Sequence, residues 1–248
     1  MSVGLPVFRP RHSRARSPVG GWALLYLALG LSAGQAQLQR VANTTLTLPA
    51  TPPLFGYSVT NAFGALNFLD PVGIASPPGE TNRLFVVEHV GNIAVITNLA
   101  APTRSVFLSI SNKITYAAEG GLLAMTFHPG FATNGFFYVW YYGPDTTSAG
   151  TGPHDILAQY QVVPPTADVA AAATEIKLIR QYDEASNHNG GDLHFGPDGY
   201  LYLSVGDEGG SNGQYNNDQR VDKDFFSGLL RIDVDKRPGS LPPNPHPA

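Results

Sequence analysis

Leu193-His194-Phe195-Gly196-Pro197-Asp198-Gly199-Tyr200-Leu201-Tyr202-Leu203-Ser204-Val205 reads as two short apolar strands joined by a turn. Proline presets φ for the turn and glycine accepts φ > 0, so Pro-Asp-Gly between alternating apolar runs specifies a β-hairpin. The same pattern of strand, Pro/Gly turn and aromatic-rich strand occurs twice more. Gly73-Ile74-Ala75-Ser76-Pro77-Pro78-Gly79 leads into Asn82–Glu88, and Leu122–Gly130 leads into Asn134–Trp140. Between these units lie further strand candidates at Ile93–Thr97, Val106–Ile110, Ile156–Val163, Glu175–Tyr182 and Leu229–Val234, with weaker ones at Thr44–Leu48 and Tyr57–Thr60. A unit of four strands repeating about every 50 residues is the pattern of a β-propeller blade. The fold class expected is therefore all-β, a partial β-propeller of about three blades. A propeller closes with four blades or more, and the Pro-rich stretch Leu241–Ala248 reads as a connecting loop. The expectation is an incomplete propeller over 37–248 that continues in a longer protein.

The first 36 residues have another character. Arg9, Arg11, Arg14 and Arg16 precede an apolar run from Trp22 to Leu31, followed by Ser32-Ala33-Gly34-Gln35-Ala36. This is the pattern of a secretory signal peptide cut after Ala36, and the run is too short to span a bilayer. Export to the periplasm or the cell exterior is expected, with no membrane association after cleavage. There are no cysteines in the 248 residues, so no disulfide supports the fold. Loss of 1–36 takes the formal charge from −4 to −8. An acidic chain without basic clusters argues against nucleic acid and anionic membranes as partners.

The segment around the hairpin carries the chemistry. His188 stands before the first strand, in Ser186-Asn187-His188-Asn189-Gly190-Gly191-Asp192, and Asp207 stands after the second, in Gly206-Asp207-Glu208-Gly209. A hairpin brings its ends together, so an imidazole and a carboxylate are expected side by side, as a histidine base with an orienting partner requires.

Glu119-Gly120-Gly121-Leu122-Leu123-Ala124-Met125-Thr126-Phe127-His128-Pro129, His188 through Gly209, and Gly228-Leu229-Leu230-Arg231-Ile232-Asp233 together resemble the soluble PQQ-dependent sugar dehydrogenases, the glucose/sorbosone dehydrogenase family. The resemblance runs from about Asp70 to Asp235. It implies a six-bladed propeller that oxidises an aldose sugar to its lactone, with PQQ as hydride acceptor and Ca²⁺ polarising the quinone. By the same resemblance His188 is the general base and Asp207 its partner, and Glu119 and Asn212 fall at substrate-contacting positions. The family often has Gln where this chain has Glu119. Gly190 and Gly191 let the backbone approach a flat cofactor. The cationic loops that grip PQQ and the Ca²⁺ ligands have no counterpart in this chain, so they are expected beyond residue 248. The electron acceptor is left open.

Other readings stand beside these. A non-catalytic secreted propeller that binds carbohydrate or protein uses the same fold. His128 and His194 read as structural, and His89 and His154 stand apart from any metal-ligand cluster. Asp207–Asp218 reads as a polar surface loop in preference to a Ca²⁺ site, and Asp233 and Asp235 as the solvated face of a strand. Trp140, Tyr141 and Tyr142 read as core in preference to a sugar-stacking platform. No metal ligand is assigned, and Leu229, Leu230 and Ile232 are expected to line an exposed terminal face.

Overall fold

A computed structural model describes residues 51, 56–218, 220 and 222–237. The chain divides into two compact units, 1–58 and 59–248, and every strand described below belongs to the second. The signal-peptide segment and Thr44–Leu48 lie outside the described residues.

Among the described residues, eleven strands build three antiparallel sheets. β1 (Pro71–Ala75), β2 (Arg83–Glu88), β3 (Asn92–Thr97) and β4 (Thr103–Ser109) pair in chain order. β5 (Leu122–Phe127), β6 (Phe136–Thr147), β7 (Gly150–Gln161) and β8 (Ile176–Tyr182) form the second sheet in the same way, with a one-turn helix α1 (Phe131–Asn134) between β5 and β6. β9 (Leu193–Phe195), β10 (Leu201–Ser204) and β11 (Leu229–Ile232) form the third. The leading strands of successive sheets are neighbours: β1 packs beside β5, and β5 beside β9. Meandering sheets stacked face to face around their first strands are propeller blades, so the expected partial propeller of three blades is the fold observed.

Packing between the sheets explains the sequence pattern of β6. Phe137, Val139 and Tyr141 enter the core shared with the first sheet, beside Phe85, Val95 and Phe107. Tyr138 and Trp140 enter the core shared with the third sheet, beside Leu193, Leu201 and Leu203. A sheet covered on both faces loses the apolar–polar alternation of a half-exposed one, so its central strand reads as an unbroken aromatic run. Trp140, Tyr141 and Tyr142 are at most 2% exposed, which bears out the core reading and leaves none of them free to stack on a sugar.

Three expectations need correction. Tyr57–Thr60 forms no strand; it has no apolar run of its own to bury. The β6–β7 ladder is longer than expected and continues through Pro144 opposite Pro153 to the turn at Thr147–Gly150. Proline in that stretch reads as a breaker, but here it sits toward the end of the ladder. In β11 the strand parity divides the apolar residues. Leu229 is 70% exposed, whereas Leu230 and Ile232 pack on the core beneath the third sheet.

The hairpin that decided the fold forms as read. Gly196 N donates to Tyr200 O at 2.9 Å, and Gly199 takes φ +79°. β9 and β10 pair with Leu193 opposite Leu203. Among the described residues no helix is long and apolar enough to cross a membrane.

Phe85 is fully buried, with the rings of Phe107 and Phe127 each 4.8 Å away in edge-to-face contact. Phe85→Ala removes the centre of this aromatic cluster. It is expected to cost about 3–5 kcal/mol of unfolding free energy, measured by denaturant titration of the chain.

Candidate functional site

The two ends of the β9–β10 hairpin meet where expected. His188 Nδ1 lies 2.6 Å from Asp207 Oδ1. A carboxylate accepts at that distance, so Nδ1 carries the proton and Nε2 keeps its lone pair. The His188 side chain is 48% exposed and that of Asp207 32%. The hydrogen bond to Asp207, helped by the charges of Asp207 and Glu119, raises the imidazole above its ordinary range. The same bond holds Asp207 below the usual carboxylate range. Asp218 stands beside Asp207, whose proximity raises it.

Sequence reasoning missed Gly206, which makes this approach possible. A methyl group on Gly206 would overlap the carbonyl oxygen of His188. Only a residue without a side chain lets the strand leaving β10 pass beneath His188 and present Asp207 to the ring. His188 itself sits at φ +59°, a left-handed conformation that costs a non-glycine residue about 1 kcal/mol and needs support. Glu119 supplies it. Its Oε2 accepts the His188 backbone N–H at 2.7 Å, and its own backbone N–H donates to Ser186 O at 3.0 Å. The Glu119 carbonyl also meets His89 Nε2 at 3.1 Å, and His89 Nδ1 meets Asp70 Oδ2 at 3.1 Å.

Glu119, read from the resemblance as a substrate contact, thus commits one carboxylate oxygen to holding the His188 backbone from the lead-in to the second sheet. Asn212 is exposed at φ +56°, and no hydrogen bond ties it to the dyad. Gly190 and Gly191 have an internal reason to be glycine. A side chain at either would run into the carbonyl oxygen of Ser204 on β10, and at Gly191 also into Trp140. Close approach to a cofactor is not needed to account for them.

The other described histidines are tied into the frame. His128 Nδ1 accepts the Gly130 backbone N–H at 2.9 Å, so Nε2 holds the proton and donates to Asp235 Oδ1 at 3.0 Å. His154 is fully buried between Thr147 Oγ1 and Gly152 O. His194 is exposed beside Asp192. Asp233 and Asp235 lie beyond β11 rather than on a face of it, engaged by Arg237 and His128. The loop 207–218 is not wholly a surface loop either, because Glu208 and Asn217 are buried and bonded to each other. Among the described residues no group of three or more His, Cys, Asp or Glu side chains has the geometry to hold a metal ion.

Two clefts run along the leading strands. One of about 500 Å³ is lined by Ile74, Met125, Phe127, Phe195 and Pro197; the other, of about 280 Å³, reaches Gly191 and Asp192. Neither is lined by His188 or Asp207.

The sequence model of the Glucose / Sorbosone dehydrogenase family matches residues 68–244, which include every element of this site. The chain belongs to that family. Glucose/sorbosone dehydrogenase relatives divide by name into two groups. The human Hedgehog-interacting protein is 31% identical over 198 residues, covering 71% of this chain and 27% of its own length. Quinoprotein glucose dehydrogenase B of Acinetobacter calcoaceticus is 24% identical over 134 residues, covering 53% of this chain and 27% of its own length. The PQQ-bound aldose sugar dehydrogenase of Streptomyces coelicolor superposes with a TM-score of 0.57 at 22% identity, over 76% of this chain and 52% of that one; this likeness concerns the fold. The chain thus spans about a quarter of the length of these curated relatives.

Gly206→Ala is expected to separate His188 from Asp207, so that the imidazole titrates near the ordinary value of about 6.5. Glu119→Gln keeps an acceptor for the His188 N–H and removes one charge, so it should lower the imidazole pKa by a smaller step. NMR titration of the His188 ring measures both.

Proposed function

We propose that this chain forms part of an exported aldose dehydrogenase in which His188 is the general base. The observation that carries the reading is the 2.6 Å contact between His188 Nδ1 and Asp207 on an exposed loop. It leaves Nε2 free to take the proton of a sugar hydroxyl as the C–H bond breaks. Loss of that proton turns the carbon into a hydride donor, and Asp207 stabilises the imidazolium that results. Asp207 also fixes the tautomer, and Glu119 fixes the backbone from which the ring projects.

The reaction needs a two-electron acceptor, and family membership makes PQQ with Ca²⁺ the acceptor we propose for the whole protein. PQQ bears carboxylates, yet the charged groups acting on His188 and Asp207 among the described residues are Glu119 and Asp218, both acidic. These residues suit the hydroxyl side of the reaction and do not suit the grip on the cofactor, so none of them is assigned to it. The arginine-led apolar segment before Ala36 supports export, and the acidic chain supports a neutral sugar over nucleic acid as partner.

A second reading is a non-catalytic propeller that binds a protein through its loops. The similarity to Hedgehog-interacting protein, at higher identity and over more of the chain than to the quinoprotein, favours it. Oxidation assays separate the two. The full-length protein supplied with PQQ and Ca²⁺ is expected to oxidise members of an aldose panel, and His188→Ala should lose about 10²–10⁴-fold in rate while retaining PQQ binding. Asp207→Asn should lose less, because the imidazole remains. Since the base must be neutral and its pKa is raised, the rate should climb with pH through an inflection above about 6.5, and Asp207→Asn should move that inflection down. Absence of turnover with every aldose in the PQQ-loaded protein would favour the binding reading.

A further inference from the structure

Directly beneath the base lies a group of buried acids that the proposed reaction does not use. Asp155 on β7 and Asp183 just beyond β8 are both fully buried. Asn189, the residue after His188, is also fully buried, and its amide nitrogen donates to Asp155 Oδ1 at 3.2 Å and to Asp183 Oδ2 at 2.9 Å. Asp183 Oδ1 accepts the backbone N–H of Ala185 at 2.9 Å. Asp155 Oδ2 and Asn189 Oδ1 are buried without a hydrogen-bond partner. The two carboxyls thus converge on one amide nitrogen, and since two carboxylates are both acceptors they can bond each other only if one of them carries a proton.

We propose that Asp155 and Asp183 share a single proton, and that this singly protonated pair, acting through Asn189, is a positioning element for His188. A proton on Asp155 Oδ2 gives the orphaned oxygen a partner and relieves the repulsion between two buried charges. Asn189 is then held from below by both acids, while Trp140 Nε1 donates to its carbonyl at 3.0 Å. His188 is thereby fixed on its C-terminal side, as Glu119 fixes its own N–H.

The surroundings favour the protonated pair. Tyr142 on β6 and Gln181 on β8 stand opposite Asp155 in the ladder. Tyr142 and Tyr215 face the group, and burial first, then the charge of neighbouring carboxyls, raises both phenols. Glu208 adds negative charge from the next loop, and Glu184 lies beside it. His154, next to Asp155, is turned toward Thr147 and Gly152. The cation that acts on Glu208 is Lys223, held at Asn217 and Asp224 and not at the pair. Burial pushes Asp183 up to about 7, and burial together with Asp183 pushes Asp155 well up. The folded chain therefore keeps a proton that the unfolded chain releases. The contribution to stability is complete below about pH 4 and falls as pH rises through about 7, where Asp183 titrates, while Asp155 holds its proton well above the ordinary carboxylate range.

The test uses the full chain and does not depend on turnover, so it remains readable if the dehydrogenase reading fails. Near pH 6 the infrared spectrum should contain the C=O stretch of a protonated buried carboxyl, and Asp155→Asn should remove it. The His188 ring signals should titrate in two NMR steps, its own and one coinciding with loss of that infrared band; Asp155→Asn should abolish the second step alone. The melting temperature of the parent should fall by about 4 °C or more between about pH 4.5 and 7.5, and that of Asp155→Asn by less. If Asp155→Asn does not fold, Asp183→Asn is read in the same way. A parent without the band overturns the shared proton, as a cation lodged between the carboxyls would. A His188 titration indifferent to Asp155→Asn overturns the positioning role.

Discussion

The indole N–H of Trp140 ends on the carbonyl of Asn189, and through that bond the middle of the core reaches the loop that carries His188. Trp140 belongs to the central strands of the second sheet, buried on both sides, and its position is fixed by Leu193, Leu201 and Leu203 of the third. A buried donor needs a partner, and leaving one unmatched costs about 1–3 kcal/mol. The partner here is the backbone of the site loop. Packing between two blades thereby sets the height at which His188 leaves the surface. Gly206 and Glu119 then set the ring's companion and its backbone angle.

Most of the fold was legible because propeller blades repeat one unit. The three Pro/Gly turns each fell between a leading strand and an aromatic second strand, and the alternation of turns and apolar runs gave nearly every strand. What escaped was set by contacts distant in sequence. The outer half of the β6–β7 ladder carries Gly143, Pro144, Gly152 and Pro153, residues that locally signal a loop. Its continuation depends on pairing across the hairpin. The inward turn of Leu230 and Ile232 likewise depends on which face of β11 meets the second sheet.

The site divides in the same way. His188 and Asp207 were legible because a hairpin of known turn type brings its flanks together. Glu119 was located through the resemblance alone: its 69-residue separation from His188 gives no sign that one of its carboxylate oxygens takes a backbone N–H. Asp155 left one trace, a charged residue at the head of the apolar run Ile156-Leu157-Ala158. A charge there is expensive unless it is paired or neutralised, and that anomaly was the available signal. Nothing local marks Gly206, whose requirement comes from the carbonyl of a residue 18 positions earlier.

The second and third sheets are stitched at separated points. Glu119 before β5 holds the segment before β9, and His128 after β5 holds Asp235 after β11. His188 thus hangs from both sheets at once, by its own chain from the third and by the Glu119 carboxylate from the second, so a shift of one sheet against the other has to strain or break that bond.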